Sequence, residues 1–323
     1  MQSAKAFNGW ALDAALEIDR HYAGFAGHVL RASNERRHVI AAYLSLQQPV
    51  CTFAPADMGE FLSSAGHDDI IEAGFGARSP QLRAALARGG SQPYARRFYA
   101  YLHALLISPN RRGTQRVVAS LVRVNPTRLK IVRALPDRLK HATLVELLQS
   151  VDQARDLTTL VRLLATAGAD EIAMSQALRL IRKPEDLRRF ARRWSLRVRF
   201  PDHPVAGSEN YSPIRDGEQL DAMARNFRNC ARTYTAALLE GRSAFAVVRI
   251  GEHRGVVHLT RHEQTWYVED IYGPQNGEPD EKVVRTVTNY LSGSGIYRRY
   301  MSRSHSEWSC LRRIAGHFAP EEW

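Results

Sequence analysis

Apolar residues recur at helical spacing through the first 200 residues and switch to strand-like alternation in three runs after residue 240. The first pattern puts side chains on one face of a helix, the second on one face of a strand. Trp10, Leu12, Leu16 and Ile18 to Tyr22 form a helical stripe. Arg36–Leu46 predicts a helix ended by Pro49. Gly59–Gly76 and Pro80–Leu86 predict short helices punctuated by Gly and Pro. Tyr94–Ile107 predicts an aromatic-rich helix with Phe98, Tyr101, Leu102 and Leu105 facing inward.

Between 108 and 200 a motif recurs: an apolar helix end, a polar break, then a helix opening on Leu. It occurs at Leu121–Leu129, Leu148–Leu157 and Leu178–Leu187, about 27–30 residues apart, within the range of helical repeats. Adjacent helices of a bundle give the same pattern. Residues 201–208 read as a linker or crossing segment. Beyond it, Glu218–Arg225 predicts a short helix and Cys230–Glu240 another, capped by Asn229 and stopped at Gly241. Ser243–Ile250, Gly255–Arg261 and Thr265–Tyr272 predict a three-stranded antiparallel meander. Asp280–Leu291 predicts a helix with Val283, Val284, Val287 and Leu291 inward, and Ile296–Phe318 a basic helical tail. The expected fold is mainly α with a C-terminal α+β domain: an N-terminal helical region (1–107), a basic helical repeat or bundle region (108–200), and a meander packed by helices (201–323).

Charge narrows the choice of partner. The chain of 323 residues carries a formal net charge of +12, which favours polyanions. From Arg111 to Lys140 nine bases face one acid, Asp137, and from Ile181 to Phe200 eight bases face Glu185 and Asp186. Arginine predominates, and its fork suits phosphate. Arg111, Arg112 and Arg116, with Arg188, Arg189, Arg192 and Arg193, are therefore candidate DNA or RNA contacts; solvated helix faces from a coding bias toward Arg are the alternative. Tyr297-Arg298-Arg299-Tyr300, with Arg303, His305 and Trp308, interleaves bases and aromatics as single-strand binding requires, or as an amphipathic helix does. A protein partner on the repeat face is a further possibility. No apolar run reaches the roughly 18 residues of a membrane span. The first residues lack a basic segment followed by an apolar core, so no signal peptide is expected. Cys51, Cys230 and Cys310 are too few and too scattered for a disulfide framework or a zinc site, which points to the cytoplasm. No cofactor or metal is expected.

Asn229-Cys230, Tyr234, Gly241, the strand Phe245–Ile250, Trp266 and Tyr272-Gly273-Pro274-Gln275-Asn276 follow one another in a specific order. On these residues the stretch from about Pro213 to Leu291 resembles the PcfJ-like family of conjugative plasmids, phages and related bacterial elements. The resemblance implies a mobile-element or defence setting and a helical N-terminal region, not a known reaction. The chain departs from the pattern at His258, where an acid is expected, and at Asp270, where Gln is expected.

The same stretch holds candidate chemistry. A cysteine opening a helix meets the positive end of the backbone dipole, and Arg228 and Arg232 add to that field. Cys230, then His258 on one strand and an acid on the next, is the order of a Cys–His–Asp hydrolase or acyltransferase. Regular alternation with Val257, Leu259, Trp266, Val268 and Tyr272 inward sets His258 opposite Glu269; a one-residue bulge sets it opposite Asp270. The alternative is that Cys230 is a small buried hydrophobe. Gly273 and Asn276 belong to a turn that either touches a ligand near Cys230, together with Asn229, or simply links strand to helix.

Overall fold

The computed structural model describes residues 9–108 and 112–298. The chain divides into two compact units, Met1–Ala154 and Arg155–Trp323.

The first unit is helical: α1 (Trp10–Asp19), α2 (Phe25–Arg31), α3 (Asn34–Leu44), α4 (Pro55–Ser64), α5 (His67–Phe75), α6 (Pro80–Leu86), α7 (Arg96–Ile107), α8 (Arg112–Ser120), α9 (Pro126–Ala134), α10 (Ala142–Leu147) and the start of α11 (Val151–Thr166). The stretch Gly59–Gly76 holds the end of α4 and all of α5, because Ala65 takes an extended backbone and ends α4. α3 is the hub, with His38 to Tyr43 buried without interruption, so no face of that stretch meets solvent. The His38 imidazole inside it is satisfied by the Tyr99 hydroxyl (Nδ1, 3.0 Å) and the Gly90 carbonyl (Nε2, 3.1 Å). Gly89 is required beside it: a Cβ there would lie 2.6 Å from His38 Nε2.

Arginine closes the helix ends of this unit. The last carbonyls of a helix have no partner inside it and carry partial negative charge. Arg36, three residues after the α3 N-cap Ser33, donates to Ala65 O at 2.5 Å and Leu62 O at 2.6 Å, at the end of α4. Arg128, three residues after the α9 N-cap Asn125, donates to Val145 O at 2.6 Å and to Leu148 O, at the end of α10. Arg88 does the same for Ala119 O and Leu121 O after α8, at 2.8 and 2.6 Å, and Arg37 reaches Leu30 O of α2 at 2.6 Å.

The second unit continues with the rest of α11, α12 (Glu171–Arg179) and α13 (Pro184–Ser195). The three breaks read as a repeat each lie between two helices, α8–α9, α10–α11 and α12–α13, and Leu121, Leu148 and Ile181 are buried there. The helices around each break differ in length, six residues for α10 against sixteen for α11, so the units are not equivalent copies. A sheet follows: β1 (Tyr211–Pro213), α14 (Gly217–Phe227), a 3-10 turn (Ala231–Tyr234), α15 (Thr235–Leu239), β2 (Ser243–Ile250), β3 (His253–His262), β4 (Thr265–Tyr272), α16 (Glu281–Ser292) and β5 (Tyr297–Arg298).

The expected three strands are thus the centre of a five-stranded sheet in the order β1-β2-β3-β4-β5. All pairs are antiparallel except β4–β5. β5 stands where the basic tail was expected to begin as helix; Gly295 (φ 73°) turns the chain so that Tyr297 pairs with Tyr267 and covers part of the β4 edge. One sheet face is apolar: Ala244, Ala246, Val248, Val257, Leu259, Val268 and Ile271 pack with Val283, Val287 and Leu291 of α16. The other carries Ser243, Phe245, His258, Asp270 and Tyr272. A bulge makes that division possible. Leu259 pairs with Val268 but His258 pairs with Asp270, leaving Glu269 as the extra residue.

Candidate functional site

α14 ends at Arg228, whose left-handed backbone (φ 50°) forms the C-cap. Asn229 turns the chain, its Oδ1 accepting the Ala231 N–H at 3.1 Å. Cys230 follows with an exposed thiol, not the buried hydrophobe of the alternative reading. Its carbonyl accepts from the Thr233 N–H at 2.9 Å and the Thr233 hydroxyl at 2.8 Å. The α-helix expected from Cys230 to Glu240 is instead a 3-10 turn followed by the five-residue α15. The long column of aligned peptide dipoles expected behind the sulfur is therefore missing.

His258 is 1% exposed. Its ring lies flat on Phe245 (centroids 4.3 Å apart, 5° between planes) and meets Tyr234 edge-on at 4.5 Å. Nε2 is 3.3 Å from the Ser243 hydroxyl, and Nδ1 has no hydrogen-bond partner. Burial pushes its pKa down to about 4, against the pull of Asp270 across the ladder. Tyr272 completes the neighbourhood. Burial, then Asp270, Tyr234 and Cys230, hold its hydroxyl well above the usual phenol range. Residues distant in sequence, Cys230, Tyr234, Asp270 and Tyr272, thus share one locality beside His258.

The bulge settles which acid faces His258: it is Asp270. Glu269 points elsewhere and accepts the Thr260 hydroxyl at 3.0 Å. Tyr272, expected in the apolar layer, lies on the His258 face for the same reason. The dyad itself is not assembled, since neither ring nitrogen of His258 bonds Cys230, and the orphan Nδ1 is sealed among rings. Asp270 accepts from the Ile271 N–H at 2.9 Å and from Arg298 Nη2 at 3.2 Å.

Arg232, expected to face a ligand, is buried. Its Nε lies 2.6 Å from Asp221 Oδ1, while Asp221 Oδ2 takes Arg225 at 3.0 Å. It fastens the 3-10 turn to α14. The Gly273–Asn276 turn is closed by its own backbone, Gly273 N–H to Gly277 O at 2.8 Å, with Gln275 and Asn276 both left-handed at φ 59° and 55°. A Cβ at Gly273 would sit 2.7 Å from the Glu278 carbonyl, so glycine is needed there for packing, and Asn276 faces solvent. Among the described residues no group of His, Cys, Asp or Glu comes together as a metal would need. Ser243 was not singled out in sequence, because a serine opening a strand looks like turn chemistry.

The second candidate is α13. Phe190, Ala191, Trp194 and Ser195 are buried on one arc. Arg188, Arg189 and Arg193 are exposed and Arg192 half-exposed on the other, with Glu185 and Asp186 beside them. Asp186 is engaged at the helix start: it accepts the Arg182 and Lys183 N–H groups at 3.1 and 3.0 Å, and these bonds lower its pKa. Its other oxygen reaches Arg189 at 3.3 Å, and that guanidinium stays 78% exposed. Arg197 and Arg199 continue the exposed cationic surface beyond the helix.

The basic run of the first unit is less available than its composition suggests. Arg128 is a helix cap, and Lys140 binds Asp137 at 2.7 Å with its side chain 15% exposed. Arg112 and Arg116 are exposed on α8. Arg111, Arg299 and the tail with Tyr300, Arg303, His305, Trp308 and Cys310 lie outside the described residues. No helix among the described residues is long and apolar enough to cross a membrane. Compared with known proteins, the chain finds no match among family models, curated proteins or solved structures.

Proposed function

We propose that the protein binds nucleic acid through the arginine face of α13. One observation carries the reading: the outward arc of a single amphipathic helix presents Arg188, Arg189, Arg192 and Arg193 against two acids, Glu185 and Asp186, and one oxygen of Asp186 is engaged by backbone N–H groups. The helix sets the spacing of the four arginine stems along one arc, and each phosphate contact releases counterions. Association with a mobile element in the cytoplasm rests on the resemblance of residues 213–291 to the PcfJ-like family. A Cys230 enzyme is the weaker reading, because the imidazole that would serve as its base is enclosed and paired with Ser243 rather than with the thiol.

The test is fluorescence anisotropy with a labelled oligonucleotide between 50 and 200 mM salt. Binding should weaken by roughly 100-fold or more across that range if several phosphates are contacted. Affinity that does not change with salt would overturn the reading.

A further inference from the structure

We infer that the nucleic acid taken by α13 is double-stranded. This rests on the reading of α13 as a nucleic-acid face and names its ligand. Single strands are held by two means together, a cationic groove along the backbone and exposed rings on which bases stack. α13 supplies only cations. Its two aromatic side chains point inward, Phe190 at 5% and Trp194 at 4% exposure, and the Arg197 guanidinium covers the Trp194 ring, 5.1 Å from its centroid. Among the described residues the one strongly exposed Phe, Tyr or Trp ring is Tyr297, at 62%, and it belongs to β5 rather than to this face.

The layout of the charges agrees. Arg188 and Arg192 stand one turn apart in one row, Arg189 and Arg193 in the row beside it. Each row repeats at about 6 Å along the axis. Two adjacent cationic rows suit the two phosphate rails of a duplex, which carries one negative charge per about 1.7 Å of axis against about 3.4 Å for one strand. A surface without stacking platforms gains its affinity from charge density, and the duplex has more of it.

The experiment is an equilibrium competition on the full chain, using about 25 base pairs of duplex DNA, the same duplex as RNA, and each single strand, at equal ionic strength. Both the wild type and the exposed double variant R188Q/R193Q are measured. The expected result is at least 10-fold tighter binding of one or both duplexes, with a log–log salt slope of about −4 if the four α13 arginines engage. In R188Q/R193Q that slope should fall by about 2. The DNA and RNA arms show which duplex is preferred. Single strands binding as tightly as duplexes, or more tightly, would overturn the inference, most directly if Tyr297→Ala removed that affinity. The α13 reading would survive that result provided R188Q/R193Q still lowered the slope. Binding to neither form, or binding indifferent to salt, would overturn both.

Discussion

Two buried imidazoles, His38 in the first unit and His258 in the second, are held down to about 4 by burial, from an ordinary value of 6.5. The folded protein resists their protonation while the unfolded chain accepts it. Their contribution to stability is therefore complete above about pH 6.5 and is lost as pH falls toward 4, by up to about 3 kcal/mol each. Urea denaturation at pH 7.5 and 5 should show this loss. His258→Phe keeps the stack on Phe245 and removes the orphan Nδ1. It should stay within about 1 kcal/mol of wild type at pH 7.5 and gain by about 1–2 kcal/mol over wild type at pH 5. Equal losses in wild type and variant would show that His258 is not the group responsible. Neither depression was legible in the sequence. His258 sits in a strand that reads as half-exposed, and only the rings of Phe245 and Tyr234, thirteen and twenty-four positions earlier in the chain, close over it.

Among the elements, β2 and β4 have the bounds that the sequence pattern predicts: β2 sends Ala244, Ala246 and Val248 into the apolar layer at alternate positions, and β4 sends Val268 and Ile271 there on either side of its bulge. The bulge in β4 could be posed from sequence but not decided, since a bulge is defined by its partner strand. Glu269 is the residue in excess, with His258 paired to Asp270 and Leu259 to Val268. Deleting Glu269 should therefore leave every other side chain on its present face. It would lose the Thr260 hydrogen bond, a cost of about 1 kcal/mol. Deleting Ile271 would drive Tyr272 into the apolar layer and should prevent folding of the second unit; circular dichroism and limited proteolysis separate the two outcomes. The arginine caps were equally hidden. Arg128 looks like its neighbours in a basic run, and its role depends on carbonyls seventeen and twenty residues away. Arg128→Met should destabilise the first unit by about 1–3 kcal/mol in thermal denaturation. Arg193→Met should change stability by less than about 0.5 kcal/mol and show its effect in nucleic-acid binding instead.

At the scale of the whole molecule, the mainly helical character and the later sheet were both readable from periodicity, whereas β1 and β5 were not. Two- and three-residue strands have no periodicity of their own and exist only as cover for a longer strand. The charge divides in a way composition cannot reveal. One portion of the arginines, Arg36, Arg37, Arg88, Arg128 and Arg232, is tied to carbonyls or to Asp221 inside the fold; another, on α13, faces outward. The two portions are open to different histories. A lineage could trade away its outward guanidiniums one by one and keep a sound molecule with a lower isoelectric point, whereas the inward ones can be exchanged only together with the helix ends they close. Affinity for polyanions can therefore be gained or shed quickly in descent, on a scaffold that stays arginine-rich whatever it binds.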